Sequence, residues 1–410
     1  MRIIHTSDWH LGHTLHDQSR EPEHAAFLEW LLVQLEGEKA DALIVAGDIF
    51  DTSNPPASAQ TMLYRFIADA RRRLPNLDMV IVGGNHDSPH RLDAPHTLLA
   101  QLGVHVVGGY AHADVDRMVV PLTGPDGQVA AWVAAVPYFR PRECQGGDDE
   151  SAEALVEGAR RLYDRVLEAA RARRGEGQAL IATGHCYMTG GVLSETSERK
   201  IQVGNQHALP VDLFPDDIDY VALGHLHKKQ MVGGRSHVRY SGSPLPLALD
   251  EAPYEHGVWR VDFAGGRLAD VQPLLVPRHV GIVRVPKSGA APLDEVCAAL
   301  RALPAKTDGD DVGRLPWLEV HVSLPAPRAH LRHDLEQALE GRAVRLIRFR
   351  SHLTGDAQGL ADAHAGCDLR DLTPDEVFVR MYAQAHSDPL PDPLLHAFHD
   401  VLAAVQEGRA

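Results

Sequence analysis

Nine side chains in this 410-residue sequence share a chemistry and a local setting. Asp8 and His10, Asp48, Asn85, His86 and Asp87, His185, and His225 and His227 each follow a short apolar run. Seven of them (Asp8, His10, Asp48, Asn85, His185, His225, His227) supply two carboxylates, four imidazoles and one amide. Oxygen and nitrogen donors without thiolate suit Mn²⁺, Zn²⁺, iron or Mg²⁺ rather than copper or an iron–sulfur cluster. A carboxylate such as Asp48 can bridge two cations through its two oxygens. Two cations roughly 3.5–4 Å apart generate hydroxide at neutral pH and clamp a phosphoryl group for in-line attack. His86, next to Asn85, is then placed to hydrogen-bond a phosphate or protonate a leaving oxygen. Asp87 would orient that imidazole, as carboxylates commonly do for histidine.

The apolar runs are what must bring these groups together. Ile3-Ile4, Ala42 to Ala46, Val80 to Val82, Leu180 to Ala182 and Val221 to Leu223 read as strands buried on both faces. In an open α/β sheet, ligands collect beyond the carboxyl ends of the strands. Strand alternation would point His225 and His227 to one side with Leu226 opposite, and Asp8 and His10 likewise around Trp9.

Between these strands lie helical patterns. Phe27, Leu28, Leu31, Leu32 and Leu35 form one apolar face. Leu63, Phe66, Ile67 and Ala70 form another, entered through Pro55-Pro56, and residues 151–174 a third. Alternating strands and helices predict an α/β layered sheet flanked by helices over residues 1–280. Further strands at Val238 to Ser241 and Gly257 to Phe263, some of them antiparallel, predict a two-sheet sandwich.

From Gly281 to His352 the pattern changes to a small α+β module. Strands are expected at Ile282 to Val285, Trp317 to Leu324 (half-buried) and Val344 to Phe349, with helices over Leu293 to Leu300 and Leu331 to Leu339. A connector rich in Gly, Ala, Asp and His leads to a helical tail over residues 367–410. Its first helix starts at Thr373-Pro374-Asp375-Glu376, an N-cap, a proline and two acids at the positive dipole end. Two amphipathic helices cannot make a core unaided, so they pack on their own protein or dock to a partner.

Composition bounds the function classes. Hydrophobic content of 44% and charged content of 23% are ordinary for a soluble globular protein. No apolar stretch approaches the roughly 20 residues that span a bilayer, and no signal-peptide apolar region follows Met1, so a cytoplasmic protein is expected. The cysteines Cys144, Cys186, Cys297 and Cys367 are scattered, against a disulfide framework or a thiolate zinc site. A net charge of −16 argues against coating nucleic acid by bulk attraction. Local patches remain. Arg71-Arg72-Arg73 and Arg171, Arg173 and Arg174 read first as solvated helix ends, whereas Lys228-Lys229 should sit at the mouth of the site as DNA contacts.

The set Asp8-x-His10, Gly47-Asp48, Gly84-Asn85-His86-Asp87, Gly184-His185 and Gly224-His225-x-His227 resembles the calcineurin-like metallophosphoesterase superfamily. Within it, Ser7 to Gly12, Gly47 to Thr52 and Tyr240 to Leu247 are most similar to the bacterial SbcD nuclease family. The resemblance implies a first metal on Asp8, His10, Asp48 and His227. It implies a second on Asp48, Asn85, His185 and His225, with His86 catalytic and manganese the usual cation, two per chain. It further implies a DNA-capping role for the module from 281, and a tail that binds the coiled coil of an SbcC-type ABC ATPase. A homodimer within a heterotetramer, associated with the nucleoid, follows from the same likeness. Archaeal and eukaryotic relatives carry a second catalytic histidine where this chain has Asp51, and an anionic carboxylate cannot stabilise a phosphorane in the same way.

Three functions compete. The favoured one is a nuclease subunit that trims DNA ends and opens hairpins. A stand-alone phosphoesterase on small nucleotides would need neither the appended module nor the tail. A DNA-end-binding scaffold would be expected to have lost ligands, and none is lost.

Overall fold

A computed structural model describes residues 1–110, 114–140, 143, 152–192, 208–309 and 311–354, with isolated positions between 378 and 399. The chain divides into two compact units, Met1–Val280 and Gly281–Ala410.

Besides a short hairpin (Thr14–Leu15 and Gln18–Ser19), the strands of the first unit are, in chain order, β1 (Arg2–Thr6), β2 (Ala42–Ala46), β3 (Asp78–Val82), β4 (Val104–Val107), β5 (Val119–Thr123) and β6 (Val129–Ala135). They continue with β7 (Ala179–His185), β8 (Tyr220–Gly224), β9 (Gln230–Val232), β10 (Arg235–Tyr240), β11 (Gly257–Ala264) and β12 (Arg267–Leu275). Helices α1 (Glu21–Gly37) and α2 (Ala57–Arg73) lie between the first three strands, and α3 (Ala152–Arg173) precedes β7. Two six-stranded sheets result, ordered β12-β11-β1-β2-β3-β4 and β9-β10-β8-β7-β6-β5.

The expected sandwich is present, and its strand alternation is visible in the burial. Ile3, Ile44, Val80 and Val82 face the second sheet and join Val133, Ile181, Val221 and Val238 in one core. Their neighbours Ile4, Leu43, Val45 and Ile81 face outward onto Phe27, Leu31, Leu35, Leu63 and Phe66 of α1 and α2. This period of two explains why the runs read as continuously apolar: each face has its own cover. Each of these large side chains contributes roughly 1.5–3 kcal/mol on burial.

The added strands divide by direction. β10 runs parallel to β8, while β11 pairs antiparallel with β1 and β12 antiparallel with β11. Strands β4, β5, β6, β9 and β12 are present in addition to those expected from sequence. Pro121 interrupts β5, and β6 (VAAWVAA) is alanine-rich, so the β-branched signal that marks a strand is diluted. Among the described residues, no helix is long and apolar enough to cross a membrane.

In the second unit, β13 (Ile282–Val285), β14 (Ala291–Pro292) and β16 (Arg345–Leu353) all pair parallel to a central β15 (Trp317–Leu324). Helices α4 (Leu293–Arg301) and α5 (Leu331–Ala338) pack on Leu318, Val320 and Val322. β15 is not half-buried as its alternation predicts. Its polar face is covered too, because Glu319 and His321, 6% and 4% exposed, lie among Arg284, Arg348 and His352.

Most of the tail from 367 to 410 lies outside the described residues, including the expected N-cap at Thr373. Within it, the Phe378 and Phe398 rings stack with centroids 4.1 Å apart.

Candidate metal centre

Most of the candidate ligands stand on turns that leave the strand ends, while His185 is the last residue of β7. β1 stops at Thr6 and β8 at Gly224, so strand alternation is not what aims Asp8, His10, His225 and His227. Asp8, His10, Asp48 and His225 have φ of 53°, 46°, 48° and 107°. Such left-handed backbone costs of order 1–3 kcal/mol per non-glycine residue and clusters at functional sites. Here the turns are braced against one another: Asp8 N donates to Gly47 O at 3.0 Å, and His10 N to Asp48 O at 3.0 Å. Gly47 (φ 91°) must lack a side chain, since a Cβ there would fall inside the His185 ring. A Cβ on Gly84 would likewise strike the Asp48 carboxylate.

The expected residues converge. Ligating atoms of Asp8, His10 and His227 lie within 4.8 Å of one another, as do those of Asp8, Asp48 and His185. Asp48 Oδ2 is 3.5 Å from His10 Nε2 and 3.2 Å from His185 Nε2, between the two groups. The Asn85 amide oxygen is 2.9 Å from His185 Nε2 and 3.0 Å from His225 Nδ1. His10 Nε2 and His225 Nε2 are buried without a hydrogen-bond partner among the described residues. A buried His10 nitrogen 3.5 Å from the Asp48 carboxylate, with His225 Nδ1 beside Asn85 and His185, fits a site for divalent cations.

Charge in the centre follows from burial and proximity. Burial alone would raise the Asp48 carboxyl, but His185 and His86 outweigh it and hold it well below the usual carboxylate range. Burial would lower His185, but Asp48 dominates and lifts it to about 9. Burial and then the nearby His185 push His225 well below the ordinary imidazole value. Asp8 is raised, chiefly by burial.

The surrounding groups hold the ligands. Ser7 Oγ bonds the Asp8 carboxylate and lies 2.7 Å from Ser241 Oγ. His185 Nδ1 is 2.9 Å from Ala46 O, and His227 Nδ1 is 2.8 Å from Glu251 Oε1. Glu251, fully buried, is not among the residues expected from sequence. Its signal is its place shortly after the Tyr240 to Leu247 segment, which alone does not distinguish it from Asp250. Asp51 Oδ1 is 3.2 Å from His10 Nδ1. Burial opposes its ionisation, but the bond to His10 and the charge of that ring hold it at about 2.

The expected pairing of Asp87 with His86 is corrected. Asp87 accepts from the backbone amides of Ile49, Phe50 and Gly84 at 2.9–3.0 Å, so it braces the Gly47-Asp48 turn. The His86 ring instead bonds the Asp51 carbonyl, Nδ1 to O 2.8 Å. His86 also belongs to a ligand-like group with His10 and Asp48.

The basic patches sort clearly. Arg72 and Arg73 pair with Asp69 and Glu29, and Arg171, Arg173 and Arg174 with Asp217, Asp116 and Asp219. Lys229 is corrected as a DNA contact. Its ammonium is buried, 5.3 Å over the Trp259 ring, and burial lowers its pKa. Lys228 is half-buried, with its ammonium 5.6 Å over the Tyr254 ring.

Comparison with known proteins bears on this geometry. Residues 1–229 match the family described as Calcineurin-like phosphoesterase. Residues 278–386 match one described as Type 5 capsule protein repressor C-terminal domain. The chain is 41% identical over 393 residues to the SbcD component of the SbcCD nuclease of Rhodobacter capsulatus, covering 93% of this chain and 94% of the relative. It is 33% identical over 397 residues to the SbcD protein of Escherichia coli K12, covering 95% and 94%. It is 37% identical over 292 residues to that of Bacillus subtilis, covering 69% and 72%. With its ligand turns in place and its likeness running through both units, the chain belongs to the SbcD family of metal-dependent nuclease subunits within the calcineurin-like phosphoesterases.

Proposed function

We propose that this chain hydrolyses DNA phosphodiester bonds at a binuclear manganese centre, as an end-trimming exonuclease and a single-strand and hairpin endonuclease. The observation that carries the reading is the position of Asp48, whose Oδ2 is within 3.5 Å of both His10 and His185. Asp8, His10, Asp48 and His227 would hold one cation, and Asp48, Asn85, His185 and His225 the other. Bound there, cations would supply a hydroxide nucleophile and would neutralise charge on the phosphate.

The protein's own residues do the rest. Asn85 contributes a neutral oxygen, so the centre carries only the two carboxylates of Asp8 and Asp48 among its first ligands and retains positive charge for a phosphodiester. The His86 Nδ1–H donates to the Asp51 carbonyl, which fixes the tautomer and presents Nε2 to a substrate. In its protonated form that nitrogen donates to a phosphate oxygen or gives its proton to the leaving 3′ or 5′ oxygen. Positioned acid–base catalysis of this kind is worth about 10²–10⁴-fold.

The second unit supports a DNA-capping role. Arg284, Arg348 and Arg350 align by register with Glu319 and His321 across neighbouring strands, giving a cationic row in an acidic protein. For the tail we propose docking to the coiled coil of an SbcC-type ABC ATPase. Val379 and Leu394 are 42% and 41% exposed there, although Phe378 and Phe398 stack on each other. A homodimer within that complex would use large apolar side chains left at the surface of the first unit, such as Leu98, 69% exposed.

The deciding test is metal-dependent cutting. Full-length protein, stripped by chelator, is given Mn²⁺ or Mg²⁺ with labelled single-stranded, duplex and hairpin DNA, with and without the ATPase and ATP. Cutting restored by Mn²⁺ better than by Mg²⁺ is expected. Equal hydrolysis of small nucleotides with no cutting of DNA would favour the stand-alone phosphoesterase instead.

A further inference from the structure

We propose that Asp51 is a positioning residue that sets two imidazoles of the centre at once, His10 through its side chain and His86 through its main chain. This rests on the two-metal reading above. Where the resemblance places a second catalytic histidine in relatives, this chain has a group that never needs to touch the substrate.

The geometry is specific. Asp51 Oδ1 is 3.2 Å from His10 Nδ1, and Asp51 O is 2.8 Å from His86 Nδ1. The two rings stand edge to face, their centroids 4.8 Å apart. Each ring thus has its Nδ1–H engaged by one residue, and each is left with Nε2 for other work. For His10 that atom is buried, unpartnered and 3.5 Å from Asp48 Oδ2, the disposition of a metal ligand. For His86 it is the atom proposed to meet phosphate.

Asp51 is itself held in place. Its amide donates to Leu11 O at 3.2 Å, on the turn that carries His10. The amides of Ile49 and Phe50 just before it are fixed by the Asp87 carboxylate. The Gly47-Asp48 turn therefore carries Asp48 itself and, three residues on, the support for His10 on the turn after β1. A carboxylate on the far nitrogen of a ligating histidine fixes its tautomer and raises its basicity, and removing one typically costs 10–100-fold in metal affinity or activity.

Because the two contacts use different parts of Asp51, a side-chain substitution separates them. Asp51→Ala removes the support of His10 and keeps the carbonyl on His86. Asp51→Asn keeps an oxygen acceptor and loses the charge. We expect Mn²⁺ titration of the metal-free full-length chain, by calorimetry or electron paramagnetic resonance, to show two sites in the wild type. In Asp51→Ala one site should weaken about 10–100-fold and the other stay unchanged, with Asp51→Asn in between. Raising Mn²⁺ should then restore most of the DNA cleavage lost by Asp51→Ala. The proposal is overturned if Asp51→Ala binds both ions with wild-type affinity yet cuts slowly at every Mn²⁺ concentration, since Asp51 would then act on the substrate. It is also overturned if both sites weaken equally, the mark of a collapsed turn, which Asp51→Asn would share. Wild type that binds fewer than two ions, or fails to cut DNA, would instead remove the reading on which the proposal rests.

Discussion

Glu251 Oε1 lies 2.8 Å from Nδ1 of His227, and the other oxygen of the same carboxylate accepts from Leu247 N at 2.7 Å. A fully buried acid thus ties a candidate metal ligand to the loop that follows β10. The carboxylate engages Nδ1 of His227, which forms one ligand-like group with Asp8 and His10.

Glu251→Gln should therefore lose metal affinity by about 10–100-fold while remaining folded, because the amide keeps an acceptor for the Leu247 amide but supplies no charge. Metal content after dialysis against a graded Mn²⁺ buffer checks this. Wild-type content in the variant would show that Glu251 only packs the loop.

The contrast between Glu251 and the ligands marks how far the sequence was legible. Strands with a cover on each face write themselves as apolar runs, so Ile3-Ile4, Ala42 to Ala46 and Val80 to Val82 located the sheet and the residues at its ends. Glu251 makes its contact only in three dimensions, and nothing in its local pattern separates it from Asp250; Asp51 stood out only by its departure from relatives, which does not reveal its bond to His10. The same limit explains Asp87. Adjacency to His86 suggested a pair, but the turn directs its carboxylate to three backbone amides instead. Lys229 failed as a DNA contact because proximity to His227 in sequence says nothing of which way a side chain leaves the loop.

His225 tests the two-metal centre directly. Its Nδ1 is 3.0 Å from Asn85 Oδ1 and 3.3 Å from His185 Nε2, the proposed ligands of one cation. His225→Ala should bind one Mn²⁺ per chain in place of two and lose nearly all turnover. Full activity in that variant with one ion bound would end the binuclear reading.

His86 should behave differently from the ligands. With its Nδ1 engaged by the Asp51 carbonyl, His86→Ala is expected to keep both metals and its affinity for DNA while cleaving about 10²–10⁴-fold more slowly. Single-turnover rates at saturating Mn²⁺, beside metal analysis, separate the two effects. Loss of a metal in this variant would make His86 a ligand, as its grouping with His10 and Asp48 allows.

Acid should weaken the fold through histidines that burial keeps neutral. Burial lowers both His5 and His24 to about 3, and neither ring nitrogen of His24 has a hydrogen-bond partner among the described residues. Their folded values lie below the unfolded value of 6.5, so the unfolded chain binds the extra protons. The stability they contribute is present above about pH 6.5 and is lost as pH falls from there toward about 3. Each such group costs about 2 kcal/mol between about pH 7 and pH 5. Urea unfolding in chelator at the two pH values should show His24→Leu losing less stability than wild type by about that amount. An unchanged difference would place the acid sensitivity elsewhere.

The tail presents a choice between self-packing and docking. Phe378 and Phe398 stack on each other, yet Val379 and Leu394 are 42% and 41% exposed. Apolar surface of this kind in a helical segment favours a partner groove. Each large side chain buried there gains roughly 1.5–3 kcal/mol, so a few together can anchor an ATPase coiled coil even after the entropic cost of association. Deleting residues after Leu369 should abolish co-purification with the ATPase subunit and any stimulation by ATP. Mn²⁺-dependent cutting of single-stranded DNA should persist, because every ligand lies before residue 228. Duplex digestion should become more salt-sensitive, since an acidic chain alone must then hold DNA through local cations such as Arg284 and Arg348. A truncated chain that binds the ATPase with unchanged affinity would mean that the tail packs on its own protein and that the interface lies on another surface.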